Sequence, residues 1–307
     1  MTQPSERIAI VSVAGRFPGT GSDLDRFWQN IAAVIDCSRD VPSGRWPLPP
    51  DRCTDPRIAN ADTVYSTRGY YLDSFDPDLT ELALDPTLIA QLDPLFHLVL
   101  DVGNRAWRSA RTEKVDRQRV GIVLGNICLP TDRSSDLCRE ILGAKLGLTA
   151  KPTHPLNRYV AGLPAGLLAQ GLGLGGGSYT LDAACASSLY ALKLAADELL
   201  SRRADAMLAG GCARPDCQYT QMGFAQLRAL SATGRCSPFD AAADGLMVGE
   251  GAGIFVLKRL SDAVKHGDTI HAVIAGVGLS NDMHGNLLAP AKEGQLRAMR
   301  GAYERAG

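Results

Sequence analysis

Several features that would assign a function quickly are missing from this chain of 307 residues. It has 32 Lys and Arg against 33 Asp and Glu, a formal net charge of −1, and no long run of one sign. Nucleic acid and anionic membranes recruit a concentrated positive face, so neither is expected as the main partner. No stretch approaches the ~18 uninterrupted apolar residues that suggest a membrane span. The opening MTQPSERIAIVSVAG has a charged pair before a short apolar run and no convincing cleavage site, so no secretory signal is expected. A cytoplasmic protein is the expectation. No P-loop, H-E-x-x-H or G-x-S-x-G pattern occurs. The eight cysteines show no C-x-x-C, and the four residues between Cys212 and Cys217 are too loose a spacing for a zinc knuckle. No metal site is expected, and most thiols should be reduced and packed as small hydrophobes.

What is present is an alternation of short apolar runs and longer amphipathic ones, the pattern of an α/β fold. Strands are expected at 8–15, 120–126, 178–184, 206–211, 251–260 and 271–281. Helices are expected at 24–35, 92–110, 134–147, 163–174 and 186–203, with a last helical run over 293–307. Asp93 suits a cap and Pro94 a first turn. Residues 36–85, rich in Pro, Asp and Arg, are too long for an ordinary connection and read as an insertion carrying function or contacts. Gly171, Gly173 and Gly176 formally match G-x-G-x-x-G. A helix precedes them and a strand follows, the reverse of a dinucleotide site, so they read as turn glycines.

One cysteine stands apart by position. The expected strand SYTLDAA runs directly into the helix that begins near Cys185. Cys185, Leu189, Leu192, Ala196 and Leu199 recur at helical spacing, which predicts a shared core face and a buried or half-buried Cys185. A helix N-terminus presents unpaired N–H groups and favours an anion such as a thiolate. The small neighbours Ala183, Ala184, Ala186, Ser187 and Ser188 would let a substrate carbonyl approach and its oxygen meet N–H donors. Position alone leaves two readings open, a nucleophile or a core cysteine at a helix start.

The block DAACASSLYALKLAADELLSRRADAMLAGG resembles the active-site block of the β-ketoacyl synthases, usually close to D-T-A-C-S-S-S-L. IAIVSVAGRFPG resembles the opening strand and loop of that family, and LDPLFHLVLDVGNRAW resembles its D-P-Q-x-R-x-x-L-E-x-x-W-E-A helix. ALSATGRCSPFDAAADGLMVGEGAGIFVLKRLSDAVKHGD resembles its second long signature. These blocks cover nearly the whole chain in the family's order, in the style of modular polyketide synthases and polyunsaturated fatty acid synthases. Ala183 and Ala186 stand where many members have Thr and Ser; both remain small.

The resemblance implies a thiolase-like layered α/β fold. Residues 1–270 would be the first βαβαβαββ half and 271–307 the start of a second, truncated half. It implies an acyltransferase that forms carbon–carbon bonds in polyketide or fatty acid biosynthesis. Cys185 would take an acyl group from an acyl carrier protein, and a malonyl-type thioester would then condense with it by losing CO₂. No bound cofactor is implied, because phosphopantetheine arrives on the carrier. A homodimer through 178–184 and further megasynthase domains are implied partners.

Glu250, in GEGAG, resembles a buried anchor near the site, and a carboxylate satisfied by backbone N–H groups reads as well as a proton-transfer role. His284 lies where the family runs past the pantetheine entrance, a candidate tunnel residue weighed against an ordinary loop histidine. Phe239 and Asp240 read as scaffold. The family's two catalytic histidines lie in H-G-T-G-T and N-x-G-H segments. His97, His154, His266, His271 and His284 match neither context. The alternative is therefore an inactive fragment or pseudoenzyme that dimerises or binds carrier protein without condensing. Thiolase-type degradation fits the two signature blocks less well.

Overall fold

The computed structural model describes residues 6–57, 60–147, 152–284 and 290–307. Residues 1–5 of the opening segment and 285–289 of the His284 segment lie outside them.

The chain begins with strand β1 (Ile8–Arg16) and helix α1 (Leu24–Ala32). The expected insertion follows. It holds a two-stranded ribbon of β2 (Arg39–Asp40) and β3 (Arg68–Gly69), with the short helix α2 (Pro50–Cys53); helix α3 (Pro86–Gln91) directly follows it. Helix α4 spans Pro94–Ser109. Its start is where the sequence places it: the fully buried Asp93 accepts from Leu95 N–H at 2.8 Å, and Pro94 occupies the first turn. Then come β4 (Val120–Gly125), α5 (Asp132–Lys145), α6 (Pro164–Leu172), β5 (Ser178–Leu181) and α7 (Ser187–Leu200). The chain continues through β6 (Ala206–Ala213), α8 (Cys217–Gln226), β7 (Gly251–Arg259), α9 (Leu260–His266), β8 (Ala272–Ile274) and α10 (Lys292–Ala306).

Six strands form one mixed sheet in the order β5-β4-β6-β7-β1-β8. β4 pairs in parallel with both β5 and β6, while β7 runs antiparallel to β6 and β1. Alternate residues divide between two cores, as the twofold side-chain period of a strand requires. Ile122, Leu124, Leu208, Ile254 and Val256 face α4 and α6. Val123, Met207, Ala209 and Leu257 face α7. The result is a helix–sheet–helix sandwich. β4 is buried along its whole length because both faces and both edges are covered. α4 and α6 pack closely at Gly103, where a Cβ would lie 2.2 Å from a Leu168 methyl. Gly173 closes α6 in the left-handed region (φ 64°), the turn role expected of the glycine run.

The insertion has its own small core, in which Trp46, Val64 and Tyr71 pack with Cys217, Leu230 and Val248. It is thus fixed against α8 and the approach to β7, although its elements are short. Three expectations need correction. The strand over 271–281 shortens to Ala272–Ile274. Beyond it the chain packs on α10, where a Cβ on Gly278 would lie 1.8 Å from the Ala298 carbonyl oxygen. The strand over 178–184 ends at Leu181, because the next residues turn sharply. Phe239, expected as scaffold, is fully exposed, with left-handed backbone (φ 64°), on a loop whose ties run through Ser231, Thr233 and Asp244.

Candidate active site

β4 and β6 run in the same direction, so their carboxyl ends open on one side of the sheet, the usual place for a ligand in parallel α/β architecture. Four glycines lie there in register across four strands: Gly125, Gly211, Gly253 and Gly15. At Gly125 and Gly211 the lack of a side chain lets α7 sit directly on the sheet, and at Gly15 and Gly253 it makes room for Phe17. A Cβ on Gly125 would lie 2.5 Å from the Ser187 carbonyl carbon, and one on Gly211 would lie 2.9 Å from Ser188 Cβ. Strand composition gives no notice of this row, because only register brings the four together.

Between β5 and α7 the chain makes a tight elbow. Ala184 has φ 49°, a left-handed conformation that costs a non-glycine residue about 1 kcal/mol or more. Side chains hold the elbow. Ala184 N–H donates to Asp182 Oδ1 at 2.8 Å. Ala183 N–H donates to Ser187 Oγ at 2.9 Å, and the same hydroxyl donates to the Ala184 carbonyl at 2.6 Å. The second Asp182 oxygen, Oδ2, accepts from Cys128 N–H at 2.8 Å and so ties the elbow to the loop after β4.

Cys185 follows the strained residue and is exposed, not buried or half-buried. The reason is visible in α7. Its buried residues are Ser187, Ala191, Ala195, Ala196 and Leu199, whereas Leu189 is 58% exposed. The face bearing Cys185, Leu189 and Leu192 looks into a cleft of about 670 Å³ instead of into the sheet. Phe17, Ile127 and Phe255 also line this cleft, so its walls are largely apolar. Cys212 lines it as well, but it is buried, and burial pushes its thiol up to about 12. Cys217 is pushed up to about 12, first by burial. These two are buried as neutral thiols, while Cys185 stands open on the elbow just before the N-cap of α7, Ala186.

Glu250 reaches the cleft wall, with only 3% of its side chain exposed. It pairs with Arg45 and accepts from Leu72 N–H at 2.9 Å, so it joins the insertion to the entry of β7. Removing one partner of a buried ion pair typically costs about 3–5 kcal/mol, which gives this link structural weight. His284 is exposed and is not among the described residues lining the cleft. The other histidines are also elsewhere; His97, for example, sits in α4 with Nε2 2.7 Å from the Ile89 carbonyl oxygen. Asp182 does not stand out in the sequence as a site residue, although it opens the DAACASS block.

A free thiol at a helix start, on a rigid elbow beside an apolar cleft, suits covalent capture of an acyl group. Comparison with known proteins gives the same class. Residues 5–263 match the family described as "Beta-ketoacyl synthase, N-terminal domain", and the chain belongs to that family. Among curated relatives, a phenolphthiocerol/phthiocerol polyketide synthase of Mycobacterium tuberculosis is 32% identical over 290 residues. That alignment covers 93% of this chain and 15% of the relative. The Bacillus subtilis polyketide synthase PksL is 29% identical over 311 residues, covering 99% and 6% respectively. Among solved structures, the PfaC keto synthase–chain length factor superposes with a TM-score of 0.90 at 37% identity. The overlap spans 98% of this chain and 34% of that one. A ketosynthase from module 6 of the B. subtilis bacillaene synthase gives 0.81 at 27% identity, covering 98% and 49%. The fold is therefore the thiolase-like fold of ketosynthases, and the chain spans a small part of its curated relatives and a third to a half of these solved chains.

Proposed function

We propose that this chain supplies the acyl-accepting part of a ketosynthase in polyketide or fatty acid assembly, with Cys185 as the nucleophile. The observation that carries the reading is the exposed Cys185 on the Ala184 elbow, facing an apolar cleft. In the first half-reaction the Cys185 thiolate attacks the carbonyl carbon of an acyl thioester on phosphopantetheine. The new carbon–sulfur bond forms as the old one breaks. The pantetheine sulfur leaves and takes a proton, replacing the one Cys185 gave up. N–H groups at the start of α7 are suited to the transient oxyanion. The apolar walls suit the acyl chain.

In the second half-reaction a malonyl-type thioester loses CO₂. The electron pair released forms a bond to the acyl carbon, and Cys185 departs as thiolate. The resemblance gives stabilisation of the enolate to two histidines in segments that none of the five here matches, so condensation is proposed for the whole protein. An acyl carrier protein is the proposed donor, with a cytoplasmic setting. Glu250 is proposed as a support of the cleft wall. No role at the cleft is proposed for His284.

Intact-protein mass after incubation with a butyryl thioester of N-acetylcysteamine tests the reading. The native chain should gain one butyryl group, and Cys185→Ala should gain none while keeping its circular dichroism. A folded native chain that gains nothing would favour a carrier-binding role without acyl transfer.

A further inference from the structure

Asp182 is solvent-exposed, so it adds little to the core. Yet both of its carboxylate oxygens are spent on backbone N–H groups of the site. Oδ1 takes Ala184 N–H at 2.8 Å and Oδ2 takes Cys128 N–H at 2.8 Å. Ala184 is the left-handed residue immediately before Cys185, and Cys128 follows Ile127, a residue of the cleft wall. Ser187 binds Ala183 N–H and the Ala184 carbonyl, which leaves Ala184 N–H to Asp182.

We propose that Asp182 is a positioning residue for acyl transfer: one carboxylate sets the elbow that aims Cys185 and fixes its separation from the Ile127 wall. The inference rests on the ketosynthase reading above. A carboxylate suits the task because it accepts two bonds at once and both donors are N–H groups. Asparagine, which is isosteric, presents an acceptor to one N–H and a clashing donor to the other. Asp182→Asn therefore breaks one tie while leaving bulk and exposure unchanged.

Two rates at Cys185 test the proposal, both read by peptide mass. One is transfer from butyryl N-acetylcysteamine, which needs a directed approach to a thioester carbonyl. The other is alkylation by iodoacetamide, a small electrophile that needs only an accessible thiol. For Asp182→Asn and Asp182→Ala, acyl transfer should fall by about 10²-fold, the usual scale for misplacing a reacting group by an ångström. Alkylation should stay within about threefold of the native rate, since that reaction gains nothing from the oriented approach. Unfolding midpoints in urea should not move. Native-like acyl transfer in both variants would overturn the proposal. So would a parallel loss of both rates with a lowered midpoint, which would assign Asp182 to the fold. A native chain that alkylates at Cys185 but accepts no butyryl group would fail at the ketosynthase reading, and the proposal would fall with it.

Discussion

Ala184, at φ 49°, stores local backbone strain that persists only because Asp182 and Ser187 satisfy the polar atoms around it. The same site depends on what Gly125 lacks. A methyl there would press on the backbone of Ser187 and Ser188, 2.5 and 2.6 Å away, and backbone cannot rotate aside as a flexible side chain can. Gly125→Ala should therefore push the first turn of α7 off the sheet. Overpacking of this kind costs about 1–3 kcal/mol, readable as a lower urea midpoint. Butyryl transfer to Cys185 should fall about tenfold or more, because the elbow is built on that turn. An alanine variant with native midpoint and native transfer would show that α7 has room to spare.

At the scale of elements, α7 is anchored at its far end by charge. Arg259, in β7, donates to the Leu199 and Ala204 carbonyls at 2.9 and 2.7 Å and pairs with Asp205 and Asp262. Asp205 also pairs with Arg119 at the entry to β4. The hydrogen bond from Arg119 is the largest influence on Asp205; with Arg259 it outweighs partial burial and lowers the carboxyl from 3.8 to about 2. A folded pKa below the unfolded one means that the stabilisation is present above pH 3.8 and is lost as pH falls through about 2. The difference in urea stability between native chain and Asp205→Asn should be constant above about pH 5 and shrink from pH 4 downward. A difference that is flat across that range would remove Asp205 from the acid response.

For the whole molecule, the sheet ends in two terminal strands among the described residues, the three-residue β8 and, beside the site, β5. β5 is a terminal strand, paired only with β4 within the sheet, and Tyr179 on it is partly exposed. An unpaired strand edge is a template for another chain. Self-association through 178–184 is accordingly the proposed route to a dimer, and it would place two Cys185 elbows near one interface. Sedimentation velocity at micromolar concentrations should show a dimer for the native chain and a shift toward monomer for Tyr179→Lys. A native chain that stays monomeric at all concentrations would exclude this edge as the contact.

Local chemistry makes part of this protein legible in its sequence. Asp93 followed by Pro94 announces the start of α4, because capping involves atoms two residues apart. The DAACASS block marks Cys185, because a strand–elbow–helix needs small residues in consecutive positions. Helical periodicity mispredicts the burial of Cys185, because it assumes that one face meets one surface. Here the sheet meets the face of α7 that carries Ser187, Ala191, Ala195 and Leu199, while Leu189 and Leu192 line the cleft. The sequence by itself thus determined the order of the sheet strands and of α1, α4, α5, α6, α7 and α10, and it singled out Cys185 as the candidate nucleophile; α2, α3, α8 and α9 carry no such signal. Only the tertiary structure decided what surrounds that residue. Gly15, Gly125, Gly211 and Gly253 belong to four strands and align through hydrogen-bond register. Asp182 meets Cys128 because parallel pairing of β4 and β5 brings their ends together. Such contacts join residues that are distant in the chain, and no local pattern encodes them.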